Sequence, residues 1–96
     1  MTTDEKQTAL FANLIMMFHS ATMQHLGKVK NPASDKIERD LNQAELTIDM
    51  IEMIASKSKG NLKPEEDRFL QNVLKELRLN FVDEQTRQPS KTESQP

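Results

Sequence analysis

The 96-residue sequence has no cysteine, tyrosine or tryptophan and only two glycines, which excludes disulfides, thiolate metal sites and cysteine nucleophiles. A formal net charge of −2, from 13 basic and 15 acidic residues, shows neither the basic excess of a nucleic-acid binder nor an acidic tail. The length fits one domain, and so short a chain buries only about 60–65% of its unfolded surface, so its elements pack efficiently or a second chain extends the core.

The first element is a helix expected over about residues 3–26. Thr2 and Glu5 stand at capping-box spacing, and Asp4 and Glu5 fall where the helix dipole favours negative charge. Gly27 ends the helix, because glycine enters the left-handed cap without strain, and Pro32 discourages an early restart. The apolar stretch from Ala9 to Phe18 is too short for a bilayer, which takes about 20 residues. Thr2-Thr3-Asp4-Glu5-Lys6 before it is not the basic lead of a secretory signal. A cytoplasmic protein with no membrane segment is therefore expected. On a helical wheel Leu10, Phe11, Leu14, Ile15, Phe18, Ala21 and Leu26 share one broad face with Thr22 and His25, and Ala12, Met16 and Met23 carry it round the other side. That arc is wider than one neighbouring helix covers.

The second helix is expected over about 35–58, with Ser34 or Asp35 as its N-cap. Ile37, Leu41, Ala44, Ile48, Ile51 and Ala55 form a seam with spacings of four, three, four, three and four. A second apolar strip, Leu46, Met50, Met53 and Ile54, lies on another side, and Glu38, Glu45, Asp49 and Glu52 form an acidic strip between the two. Lys57 and Lys59 suit the last turn, Gly60 supplies a left-handed stop, and Asn61 continues the turn. Pro64 fits the first position of a third helix, followed by Glu65 and Glu66 in its first turn. Lys63 before it is a poor cap. This helix is expected over about 64–83, with Leu70, Val73, Leu74, Leu77 and Phe81 in its seam and Phe69 toward the edge. Residues 85–96 carry no apolar side chain to offset ordering entropy, so a disordered tail is expected there. No sustained period-two pattern and no internal repeat is present. The reading is one all-α, three-helix domain over residues 1–84, helices two and three forming an antiparallel hairpin.

The turns also carry a resemblance. Leu26-Gly27, Asn31-Pro32, Asp40-Leu41 with Ala44 and Ile48-Asp49, and Lys59-Gly60-Asn61-Leu62 with Glu65-Glu66 resemble a small bacterial family catalogued as domain of unknown function 1844. The likeness runs from about Phe11 to Val82, and its most specific part is the Lys-Gly-Asn-Leu turn followed by paired acids. Lys63 departs from the pattern, which has Thr or Ser at that cap. The resemblance implies a compact helical domain in bacterial cytoplasm and brings no activity with it.

Few residues suggest chemistry. His19 and His25 are six apart, about 120° round the helix, so they do not share a face as a zinc pair would. His25 falls within the apolar arc, as a partly buried histidine does. The acidic strip lacks the Glu-x-x-His spacing of a carboxylate metal cage, so a solvated face paired with Lys or Arg is the plainer reading. Lys28, Lys30 and Lys36 cluster at one turn and Lys57, Lys59 and Lys63 at the other, without interleaved aromatics, so they form no stripe for nucleic acid. No catalytic residue, cofactor or metal is expected, because no nucleophile–base pair or ligand set is visible. The methionines are more telling, since Met is over-used at adaptable protein-binding surfaces, although it also fills irregular core gaps. The expected function is a protein-interaction or homodimerisation module, with Met16, Met23, Leu46, Met50, Met53 and Ile54 at the interface of helices one and two. The principal partner is a second copy, and an unidentified foreign protein is also compatible. The alternatives are a nucleic-acid-associated accessory protein and a self-sufficient helical bundle with a small ligand.

Overall fold

A computed structural model describes residues 1–87. Among them the regular elements are three helices and no strand, so the domain is all-α: α1 (Thr3–His25), α2 (Leu41–Ser58) and α3 (Pro64–Thr86). Thr2 and Glu5 form the expected capping box. The Thr2 hydroxyl accepts the Glu5 N–H at 3.0 Å, and the Thr2 N–H donates to the Glu5 carboxylate at 2.8 Å. At the other end Gly27, at φ 78°, closes a Schellman motif, its N–H donating to the Gln24 carbonyl while the Lys28 N–H donates to that of Met23, both at 2.9 Å.

The second helix begins six residues later than the expected start at 35, and its N-cap is Asp40, not Ser34 or Asp35. The Asp40 carboxylate accepts the Gln43 N–H at 3.1 Å. Asn31-Pro32 explains the delay. The Asn31 side-chain oxygen accepts the Ala33 N–H at 2.8 Å, and the Asn31 N–H donates to the Lys36 carbonyl at 2.8 Å. Asp35, at φ 59°, donates its N–H to the Asn31 carbonyl at 2.7 Å. Backbone groups that a helix would need are thus committed to a local turn. Ile37 consequently falls in the connection, 57% exposed, outside the seam it was expected to open.

Lys63 precedes α3 without a side-chain cap. Glu66 instead reaches back and accepts the Lys63 N–H at 2.8 Å, so one of the free amides is satisfied from inside the helix. Glu66 also accepts the Thr8 hydroxyl at 2.7 Å, and the Lys63 ammonium pairs with Asp4. The departure at Lys63 is thus offset by contacts to α1. The third helix runs three residues past the expected end at 83. Gln85 and Thr86, assigned above to a disordered tail, belong to α3, and residues 88–96 of that tail lie outside the described residues.

Each helix packs on both others. The Asp40 N–H donates to the His25 carbonyl at 2.7 Å, and Thr22 meets Thr47 further along, so α1 and α2 run in opposite directions. Contacts from α1 to the α3 segment run in the same order along both, with Thr8 at Glu66, His19 at Glu76 and Lys28 at Asp83. The core joins Ile15 of α1, Ile48 and Ile51 of α2, and Leu70, Val73, Leu74 and Leu77 of α3. Those positions of the second and third helices belong to the seams read from the sequence, each large side chain contributing about 1.5–3 kcal/mol by burial.

Candidate interaction surface

One buried polar contact orients the first two helices. The hydroxyls of Thr22 and Thr47 lie 2.6 Å apart at the α1–α2 seam, and each also reaches a carbonyl of its own helix, Phe18 at 2.7 Å and Ala44 at 3.0 Å. Both threonines are therefore satisfied despite burial. On α1 the residues that reach α3, Thr8 and His19, lie to one side of Thr22 on the wheel, while Leu10, Leu14 and Met17 lie to the other. On α2, Glu52 bonds Arg78 of α3 at 2.9 Å from one side of Thr47, while Leu46, Met50 and Met53 lie on the other. The two apolar strips thus share a flank of the α1–α2 pair, turned away from α3. Their exposures are Leu10 56%, Leu14 41%, Met17 69%, Leu46 45%, Met50 37% and Met53 50%. A continuous face of this kind is unlike the singly scattered hydrophobics of an ordinary surface.

The six expected interface residues separate. Leu46, Met50 and Met53 lie on this face. Met16, 42% exposed, points about 100° round α1 from Met17. Met23 is half-buried against the core beside Val29 and Pro32, and Ile54 is likewise turned inward. Their places on α1 are taken by Leu10, Leu14 and Met17. The strip signal was available, because 10-14-17 on α1 and 46-50-53 on α2 have the same spacing. The wheel places Leu10 and Leu14 on one broad apolar face with Phe11 and Ile15, and only the positions of α2 and α3 divide that face into a buried part and an exposed part.

A second group, at the far end of α3, carried no sequence signal. Glu84 is 6% exposed. Its carboxylate lies 2.6 Å from Lys28 Nζ, 2.9 Å from Arg87 Nη1 and 3.2 Å from Arg39 Nε, and Arg39 also donates to the Glu84 backbone carbonyl. Lys28 further bonds Asp83 at 2.8 Å. Burial pushes the Glu84 carboxyl up, but hydrogen bonds from Lys28 and Arg87 outweigh it and hold the group below its ordinary value. Hydrogen bonding to Lys28 likewise lowers Asp83, and both carboxylates raise Lys28. This group ties the α1–α2 connection to the end of α3, a mechanical role.

Residues 8–84 match the family described as Domain of unknown function (DUF1844). The chain belongs to this family. The matched span opens at Thr8, which bonds Glu66, and closes at Glu84, so the DUF1844 domain takes in both the helix packing and the clamp. No curated protein and no solved structure matches the chain. The turn residues of this DUF1844 domain have defined geometry. Gly60, at φ 87°, follows Lys59 at φ −56° and ψ 131°, and the Asn61 N–H closes on the Ser58 carbonyl at 2.9 Å. This is a type II turn, which requires positive φ at its third residue. Pro32 lies in the Asn31–Lys36 turn and Pro64 opens α3. The acidic strip disperses: Glu38 accepts from the Asn31 side chain at 3.0 Å, Glu52 pairs with Arg78, and Glu45 and Asp49 border the cleft between α2 and α3. Among the described residues no three His, Cys, Asp or Glu side chains are grouped to hold a metal ion, and no helix is long and apolar enough to cross a membrane.

Proposed function

We propose that this DUF1844 chain is a protein-interaction module whose partner is a second copy of itself, acting in the bacterial cytoplasm and carrying out no catalytic step. In this reading α2 and α3 form an antiparallel hairpin, α3 backs the α1–α2 pair, and the outer flank of that pair is the docking surface. The observation that carries it is the face of Leu10, Leu14, Met17, Leu46, Met50 and Met53. A twofold contact lets such a patch cover its own copy, the commonest arrangement among soluble oligomers. Methionine supports the reading because its flexible, polarisable side chain adapts to an opposing surface.

Light scattering coupled to size exclusion tests this directly. A dimer is expected at micromolar concentration, and Met50→Glu or Leu14→Lys converts it to a folded monomer with unchanged helix content. Met16→Lys, on another side of α1, leaves the dimer intact. A wild-type chain that stays monomeric at hundreds of micromolar, with no dye binding to the apolar face, overturns the proposal.

A further inference from the structure

We infer that the cleft between α2 and α3 is a docking site for a basic segment of a foreign protein, which seats an apolar side chain on Ile48 and Phe81 and lays the lysines or arginines flanking it against Glu45 and Asp49. The site lies on the α3 side of α2 and does not rest on the self-association proposed above, which uses the α1–α2 flank. Packing explains the opening. Arg78 reaches across from α3 to Glu52 at 2.9 and 2.5 Å and bridges the two helices. Beside this bridge the facing side chains, Asp49 and Val82, are short. A cleft of about 280 Å³ remains there, lined by Glu45, Ile48, Asp49, Arg78, Phe81 and Val82. Val82 is more than half exposed, as is Leu79 one turn before it on the same side of α3. The volume falls below the roughly 300–1,000 Å³ of a small-molecule pocket and suits one anchoring side chain at the centre of a protein contact.

Charge names the occupant. Glu45 and Asp49 are both exposed and stand one helical turn apart, with about 5–6 Å between Cβ atoms. Neither carboxylate has a hydrogen-bond or ion-pair partner among the described residues. Like charges at this spacing repel, and cations laid against them remove the repulsion. Arg78 does not serve, because Glu52 holds its guanidinium. An apolar floor with an acidic rim is complementary to a hydrophobic side chain with basic neighbours. A second copy presents no free pattern of that kind. Val29 follows Lys28, which Asp83 and Glu84 hold, and Ile37 lies near Arg39, which Glu84 holds. The matching occupant is therefore a basic segment from another protein.

The test is a selection from a random twelve-residue peptide library on the full chain, followed by NMR shift mapping with the enriched peptides. Enriched peptides are expected to carry an aliphatic or aromatic residue flanked by lysine or arginine, and to shift Ile48, Asp49, Phe81 and Val82. The Glu45→Lys/Asp49→Lys double variant is expected to lose at least tenfold in affinity with unchanged helix content, and Val82→Glu to lose binding through the apolar contact. Met50→Glu, on the α1–α2 flank, leaves peptide binding as it is, so the site and the self-association stand or fall separately. No enrichment, enrichment of neutral or acidic peptides, or equal binding to the double variant overturns the inference. Shifts confined to the α1–α2 flank do the same. Cleft resonances that move with protein concentration in the absence of peptide also overturn it, since the occupant is then a second copy.

Discussion

Glu84 gathers cations from three separate parts of the chain: Lys28 after α1, Arg39 before α2 and Arg87 at the end of α3. Its carboxyl sits below the ordinary value of 4.5, so the unfolded chain takes up the proton first as acid is added. The stabilisation is therefore complete above that pH and is lost as the pH falls through the folded value. Asp83 and Glu66 shift the same way, Asp83 through Lys28 and Glu66 through the hydroxyl of Thr8. Glu84→Gln is expected to cost about 2 kcal/mol at neutral pH, because it leaves Lys28 and Arg39 short of a buried counter-charge. It also flattens the loss of stability below pH ~4.5. Urea unfolding midpoints between pH 3 and 7 check both, and an unchanged acid limb would remove Glu84 from the account. The two glycines make a contrast at the same scale. Both have positive φ, but a Cβ at Gly27 would lie 3.3 Å from Arg39 Cβ, whereas one at Gly60 meets nothing within 4 Å. Gly60→Ala is expected to cost about 1 kcal/mol from backbone strain alone, and Gly27→Ala more, since Arg39 must also move. Equal unfolding midpoints for the two variants would contradict the close approach.

At the scale of the element, α2 shows how a local turn overrides a helical pattern. The seam from Ile37 to Ala55 keeps its period throughout, yet Asn31-Pro32 folds the chain back on itself until Lys36, and the helix waits for Asp40. Asp40→Ala is expected to cost about 1 kcal/mol by freeing the Gln43 amide, while Ser34→Ala stays within a few tenths. Thermal or chemical denaturation separates them, and the reverse ranking would move the cap back to where the sequence suggested. The same element carries a two-sided apolar pattern. One side of α2 meets the core through Ala44, Ile48 and Ile51, and another leaves Leu46, Met50 and Met53 in solvent.

For the molecule as a whole, three helices enclose a core in which Ile15, Ile51, Leu70, Leu74 and Leu77 are almost fully covered. No fourth element lies on the outer flank of α1 and α2 among the described residues. Under the proposed self-association the melting temperature rises with protein concentration, because dilution favours separate, less stable chains. Calorimetry over a hundredfold concentration range is expected to show an increase of several degrees for the wild type and none for Met50→Glu.

The sequence alone determined the parts that depend on neighbours along the chain. Thr2 with Glu5, Gly27, Gly60 and Pro64 mark helix ends because capping and left-handed φ are local chemistry, and the seams of α2 and α3 follow from helical period. The missed start of α2 was local too, but it arose from several weak preferences acting together in the turn from Asn31 to Lys36. Only the tertiary structure decided which apolar strips lie side by side, since that depends on where α3 sits around the α1–α2 pair. This is why Met23 and Ile54 turn inward while Leu10, Leu14 and Met17 join Met50. Glu84 was invisible for the same reason: its partners lie 45 and 56 residues away, and a carboxylate becomes buried only when the fold brings its counter-charges to it.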